Sequence, residues 1–441
     1  MKALPILDER ATGIDVGSER LHLSIGGEAP KVFGTMTRDV QLLVAWLLEQ
    51  GVRSVAMEAT GVYWMYLYEA LQGAGLEVVV VNGRHVRNVP GRKTDMADCQ
   101  WLATLHAHGL LRSGFVPPEH VRRLQDYVRL RDDHVAMAAS HVQHMQKAME
   151  RMNVKLHDVI SDLTGVSGMK VMRAILDGQR DPSTLLELCD AQIKRRKSER
   201  VVESLRGTWK REHLFALRHA LNAWDFYQGQ IRECDQAIEQ VLHEMAGPPH
   251  DGGDTPPVQR GKAANANTPD VRGLHRVLVQ VCGGQDPTKM PGMADHSLLR
   301  VISEVGTDLT KWPTEKHFTA WTGLAPGTAQ SGKRRKNQAR QRNRVGLFFS
   351  AMARSAGNSI NTAFGGMYRR LKARRGGLVA NKALARKLAA MFWRVMVHGV
   401  DYAEQGLHKY QARAALSEQR VLSKLARKHG MQLVPTIAAS T

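Results

Sequence analysis

Across 441 residues the chain has only four cysteines, no apolar run of membrane-spanning length and no acidic residue between Glu315 and Asp401. Cys99, Cys189, Cys234 and Cys282 are widely spaced and form no CxxC pair, which argues against a structural zinc site and a disulfide framework. A reducing compartment is expected. With no spanning run and no signal-peptide pattern at the start, the expectation is a soluble, cytoplasmic protein with no membrane partner. The acid-free segment carries 18 Lys/Arg. A surface of one sign over that length wants a polyanion, and nucleic acid phosphate is the chemistry that fits.

What is present sharpens this. The net charge is +20, yet residues 1–118 hold 11 Lys/Arg against 12 Asp/Glu, and the rest hold 51 against 30. The cationic excess therefore belongs to the later chain. An apolar fraction of 43% supports real cores, and the length suits two or three domains.

Alternating apolar residues predict strands at Thr12–Val16, Leu21–Ile25 and Lys31–Met36, a helix from about Asp39 to Gln50, and a short strand Ser54–Met57 ending at Glu58. A helix from Val62 to about Gln72, the strand Glu77–Val81 and a helix opening at Asp95 follow. That order is the order of an α/β ribonuclease H-like domain, in which functional groups gather at strand ends. Asp15 and Glu58 each finish an apolar strand, where a carboxylate is costly unless paired or metal-bound. Asp95 and Asp98, three apart, share a helix face. Acids that close repel unless a cation lies between them, and Mg²⁺ or Mn²⁺ suits such oxygen donors. If the first and fourth strands lie near each other, Asp15, Glu58, Asp95 and Asp98 can converge as a two-metal site for phosphodiester chemistry.

Residues 119–245 change character. Val121, Leu124, Val128, Val135, Val142, Met145, Met149, Met152, Leu156, Val159 and Leu163 follow alternating four-and-three spacing, interrupted at Arg131 and Ala138, and a second run from Leu214 to Met245 repeats it. The pattern predicts a coiled coil with a helical elbow between its arms; pairing within one chain and pairing between chains are both open. Residues 246–270, rich in Gly, Pro, Asn and Asp, predict a flexible linker. Residues 271–400 then form a mostly α C-terminal domain, and 401–441 a helical tail.

Two features of the C-terminal domain carry chemistry. Met290-Pro291-Gly292-Met293 resembles a helix-hairpin-helix turn whose amides grip phosphate, although Ala294 stands where a second glycine is usual. Ser331 lies in a glycine-flanked turn before seven cations: Lys333, Arg334, Arg335, Lys336, Arg340, Arg342 and Arg344. A serine hydroxyl there is either a nucleophile, once activated, or a turn residue beside a phosphate-binding run.

With these motifs in hand, the chain resembles the DEDD-type insertion-sequence transposases, family one-hundred-ten in the insertion-sequence naming. Gly13-Ile14-Asp15-Val16-Gly17, Met57-Glu58-Ala59-Thr60-Gly61 and Lys93-Thr94-Asp95-Met96-Ala97-Asp98 look like the family's acid motifs. Gly323-Leu324-Ala325-Pro326-Gly327 with Ser331-Gly332-Lys333 looks like its serine motif. The resemblance implies a Holliday-junction-resolvase-like N-terminal domain, a catalytic Ser331, and a recombinase of donor and target DNA. It also implies guidance by a bridge RNA and action as a homo-oligomer, a dimer or tetramer. The competing reading within enzymes is a Mg²⁺-dependent structure-specific nuclease in which water attacks. A sugar-kinase or actin-like ATPase would need a second glycine-rich phosphate loop and an adenosine loop, and neither is present. A non-catalytic architectural binder leaves the four acids unexplained.

Overall fold

The computed structural model describes residues 5–59, 61–81, 95–247, 267–331, 334–338, 341–359 and 362–433. The chain divides into two compact units, Met1–Val116 and Pro117–Thr441. No helix among the described residues is long and apolar enough to cross a membrane.

The first unit is a mixed five-stranded sheet flanked by helices. Strands β1 (Thr12–Val16), β2 (Arg20–Ile25), β3 (Lys31–Gly34), β4 (Ser54–Glu58) and β5 (Glu77–Val81) assemble in the order β3-β2-β1-β4-β5. The β1, β4 and β5 strands are mutually parallel, and β2 runs antiparallel to β1 and β3. Helices α1 (Thr37–Glu49) and α2 (Trp64–Gly73) pack on one face. There Ile14, Val16, Val55, Met57 and Val80 meet Val40, Leu43, Leu47, Leu67 and Leu71 in one core. Each such side chain contributes about 1.5–3 kcal/mol on burial, which outweighs the lack of a side-chain N-cap on α2. The opposite face carries α3 (Asp95–Ala107), whose Leu102 joins Ala56 and Val81.

Among its described residues the second unit is helical apart from one hairpin. Helices α4 (Glu119–Arg151) and α9 (Arg211–Ala246) pair antiparallel within the chain, which answers how the two heptad runs are partnered. Arg123–Glu244 ties one end of the pair. A buried Arg131–Asp235 ion pair at 2.5 Å ties the seam. The heptad spacing runs past the end of α4, because Met152, Leu156, Val159 and Leu163 turn away into the core of the elbow. That elbow comprises α5 (Leu156–Val159), α6 (Val166–Leu176), α7 (Pro182–Glu187) and α8 (Ala191–Ser204). Its two ends are joined: Thr208 N–H donates to Met152 O at 2.7 Å, and Lys155 N–H to Ser204 O at 2.8 Å. Most of the expected linker, residues 248–266, lies outside the described residues. Beyond it, Asn267 O accepts from Arg131 and the Asp270 N–H donates to Asp235.

The remainder comprises α10 (Leu274–Val281), α11 (Asp295–Val305), α12 (Glu315–Trp321), the β6–β7 hairpin (Gly327–Ser331 and Arg334–Gln338), α13 (Arg344–Asn358), α14 (Ala363–Arg375), α15 (Gly377–His398) and α16 (Val400–Lys428). Phe318, Phe349 and Phe392 are fully buried at its centre, and the Trp393 indole donates to the carbonyls of Leu309 and Trp312. The turn at Met290–Met293 is part of this packing. Met290 and Met293 are buried, and a Cβ on Gly292 would meet the Met352 carbonyl at 3.2 Å, so the turn faces α13.

Candidate active site

Strand parity decides where the acids point. On β1, Ile14 and Val16 enter the α1/α2 core, so Gly13 and Asp15 face α3; on β4, Val55 and Met57 enter that core, so Ala56 and Glu58 face α3. The parallel register pairs Ile14 with Met57. The next residues along are Asp15 and Glu58, side by side at the carboxyl ends of neighbouring strands, which lie about 4.8 Å apart.

Helix α3 brings Asp98 to the same end of the sheet. Its C-terminal end is fixed near the start of β4, where Ser54 Oγ and His106 Nε2 approach to 2.5 Å. Its middle lies directly on β1: a Cβ on Gly13 would sit 2.3 Å from both Ala103 N and Cys99 O. Gln100 Nε2 donates to the carbonyls of Gly27 and Glu28 and fixes the rotation. The helix therefore runs antiparallel to β1 and β4, with its N-terminus at the Asp15/Glu58 end. Asp98 is exposed there. The Asp95 backbone opens the helix, while its side chain lies outside the described residues.

The electrostatics of Cys99 report the same arrangement. Burial, and next the Asp15 charge, push its thiol up to about 11, with Asp98 adding to the effect. Cys99 thus stays protonated near neutral pH. The donor set at this end is carboxylate oxygen without thiolate, which fits a hard divalent cation rather than a soft one. A different grouping of ligand atoms, Glu150, His157 and Asp158, lies at the elbow. Lys155 bonds Glu150 and holds its carboxyl below the usual range, so an ammonium already supplies the charge that a metal would.

In the second unit Ser331 is the last residue of β6, paired with Arg334 across the hairpin. Gln330 faces Arg335 and Ala329 faces Lys336 in the same ladder. The expected turn is therefore the tip of a hairpin whose second strand is the cationic run. The side chains of Ser331, Arg334, Arg335 and Lys336 lie outside the described residues, as do Lys333 and Arg340 entirely. The hairpin base is fixed by close packing. Gly323 has φ +73, and a Cβ there would meet Gln341 O at 2.2 Å.

Arg342 and Arg344 are engaged with protein. Arg342 Nη1 donates to Ser350 Oγ at 2.9 Å. Arg344 pairs with Asp132 at 3.0 Å and approaches Glu304 at 3.6 Å. Glu304 also takes a bidentate contact from Arg129 and a bond from Gln125, and Arg300 adds to Asp132. This network clamps α11 and α13 onto α4. Sequence reasoning missed it: Arg129 and Asp132 lie off the seam positions, and the charge that interrupts the seam, Arg131, serves the pair with Asp235 instead.

Two family comparisons bear on the whole. Residues 12–154 match a model described as a transposase, the DEDD type of IS110 elements, and residues 288–362 match the transposase model of the IS116/IS110/IS902 family. A search of curated proteins returned no match. The first match spans Asp15, Glu58, Asp95 and Asp98, and the second spans Ser331 and the cationic run. Two models of one transposase family, matched in order along the chain, make it a member of the IS110 family of DEDD transposases.

Proposed function

We propose that this protein cuts and rejoins the DNA of a mobile element, with Asp15, Glu58, Asp95 and Asp98 as ligands for Mg²⁺ or Mn²⁺ and Ser331 as the nucleophile. The observation that carries the reading is the placement of Asp15 beside Glu58 with the N-terminus of α3 above them. The first unit is then a ribonuclease H-like domain of the resolvase kind, and the C-terminal region is a serine domain. When bound, the metal supplies charge that stabilises a pentacovalent phosphate and lowers the pKa of an attacking hydroxyl. The four carboxylates hold that charge in place, and the cations Lys333, Arg334, Arg335, Lys336 and Arg340 hold the strand by its phosphates.

Attack by Ser331 Oγ forms an Oγ–P bond and breaks a P–O bond to deoxyribose. The serine loses its proton and the leaving oxygen gains one. The phosphodiester energy is retained in a phosphoserine, so the reverse step rejoins a strand without an external energy source. Donor and target DNA are the substrates. A guide RNA from the same element and assembly as a dimer or tetramer belong to the same reading.

The test is to quench a cleavage reaction under denaturing conditions and look for protein covalently attached to a DNA strand. The wild-type chain gives the adduct. Ser331→Ala loses adduct and joined product while still binding DNA, and Asp98→Ala loses both together with Mg²⁺-dependent cleavage. A Ser331→Ala chain that still cuts, with no adduct in the wild type, would establish a nuclease in which water attacks.

A further inference from the structure

The turn between α14 and α15 is served by neither the acids nor the hairpin. The last turn of α14 carries Lys372, Arg374 and Arg375, all exposed. Among the described residues none of the three joins an ion pair. Gly376 and Gly377 follow, and then Leu378 is 90% exposed and Val379 51%. Cations at a helix C-terminus are favoured by the helix dipole, which explains the charges and leaves the aliphatic tip unexplained. The support beneath is firm. Phe364 and Ala380 are buried on the two helices, and Lys387 Nζ sits 5.7 Å from the Phe364 ring centroid. The segment from 316 to 400 has no acidic residue to screen the tip.

We infer that this turn is a DNA-bending element. Lys372, Arg374 and Arg375 engage phosphates flanking the minor groove, and Leu378 enters a base step as an apolar wedge with Val379 beside it. Wedges of this kind unstack a step and kink the duplex. The chemistry of the tip selects the form of nucleic acid. Single-strand binding uses aromatic platforms, yet Tyr368, whose hydroxyl would lie 4.0 Å from a Cβ on Gly377, has its ring packed on Gly357, where a Cβ would lie 2.7 Å from it. Double-stranded RNA is read through its 2′-hydroxyls, and glycine, leucine and valine side chains offer no hydrogen bond to them. Duplex DNA remains. The inference rests on DNA being the substrate, as proposed above.

The test uses the full-length chain and a duplex of about 30 base pairs with a central TA step, which is easily kinked, labelled at both ends for energy transfer. Leu378→Ser is expected to bind with an unchanged salt slope but to lose most of the bend. The triple variant Lys372→Gln, Arg374→Gln, Arg375→Gln is expected to reduce the slope of log K against log salt by about 2.7, near 0.9 per phosphate contact. All four positions are exposed, so thermal unfolding of the Leu378→Ser chain should match the wild type, and the triple variant should lose only the small dipole stabilisation of its three cations. A Leu378→Ser chain that bends the duplex as the wild type does overturns the inference, as does an undiminished slope in the triple variant. If the wild-type chain binds no duplex at all, the recombinase reading falls with it; wild-type binding with indifferent variants removes this inference alone.

Discussion

Gly13 shows how little tolerance the acid site has. A Cβ 2.3 Å from two backbone atoms of α3 requires the helix to retreat by about 1 Å to reach ordinary contact. The helix cannot tilt freely, because Gln100 and His106 hold its sides and its end. Gly13→Ala is therefore expected to cost about 1–3 kcal/mol as overpacking and to carry Asp98 away from Asp15. Cleavage assayed against Mg²⁺ concentration should show a raised half-maximal concentration or no cleavage, with DNA binding retained. A Gly13→Ala chain with the wild-type metal curve would mean that the close approach does not set the site. Glycine in this strand was legible in the sequence as part of a motif. The reason for it was not, because a contact with a helix some ninety residues later leaves no local pattern.

At the scale of elements, legibility followed burial. Strands β1, β4 and β5 and the two long arms have apolar residues at regular spacing, and their positions were readable from that spacing alone. The β6–β7 hairpin was not, since Gly327–Ser331 and Arg334–Gln338 contain no apolar alternation and pair through backbone bonds. The end of α4 was overestimated for the opposite reason: apolar spacing continued, but those residues serve a different core. The seam of the arms holds a sharper test. Arg131 and Asp235 are 4% and 5% exposed, and Asp235 also takes the Asp270 N–H. Asp235→Ala leaves a buried guanidinium unpaired and is expected to destabilise the second unit by about 3–5 kcal/mol. Replacing both partners by leucine should recover much of that loss. Urea unfolding of the single and double variants reads the difference; equal losses would show that the ion pair itself, rather than the orphaned charge, dominates.

For the whole molecule, charge and pH are linked through the clamp between the arms and the C-terminal helices. His296 lies among Arg300, Arg131, Asp132 and Asp235, and burial first, then the two guanidinium groups, hold its pKa down at about 4 against an ordinary 6.5. A histidine held neutral in the folded chain leaves stability intact above pH 6.5. As pH falls from there towards 4, the unfolded chain takes up the proton first and stability is lost. A tenfold difference in proton affinity between the two states is worth about 1.4 kcal/mol, so the loss by pH 4 approaches about 3 kcal/mol. Melting temperatures of the wild type should therefore drop faster than those of His296→Gln between about pH 6.5 and pH 4.5. Parallel curves would place the acid sensitivity elsewhere.

The bond from Thr208 to Met152 has a consequence for how such a chain changes over generations. The elbow leaves α4 and rejoins α9 at one point, carrying a core of its own, in the manner of a bud on a stem. Insertions, deletions or wholesale exchange of everything between those two residues leave the register of the arms untouched. That tip is consequently free to diversify at a pace the acid site cannot follow, and related chains should differ there first in length and surface.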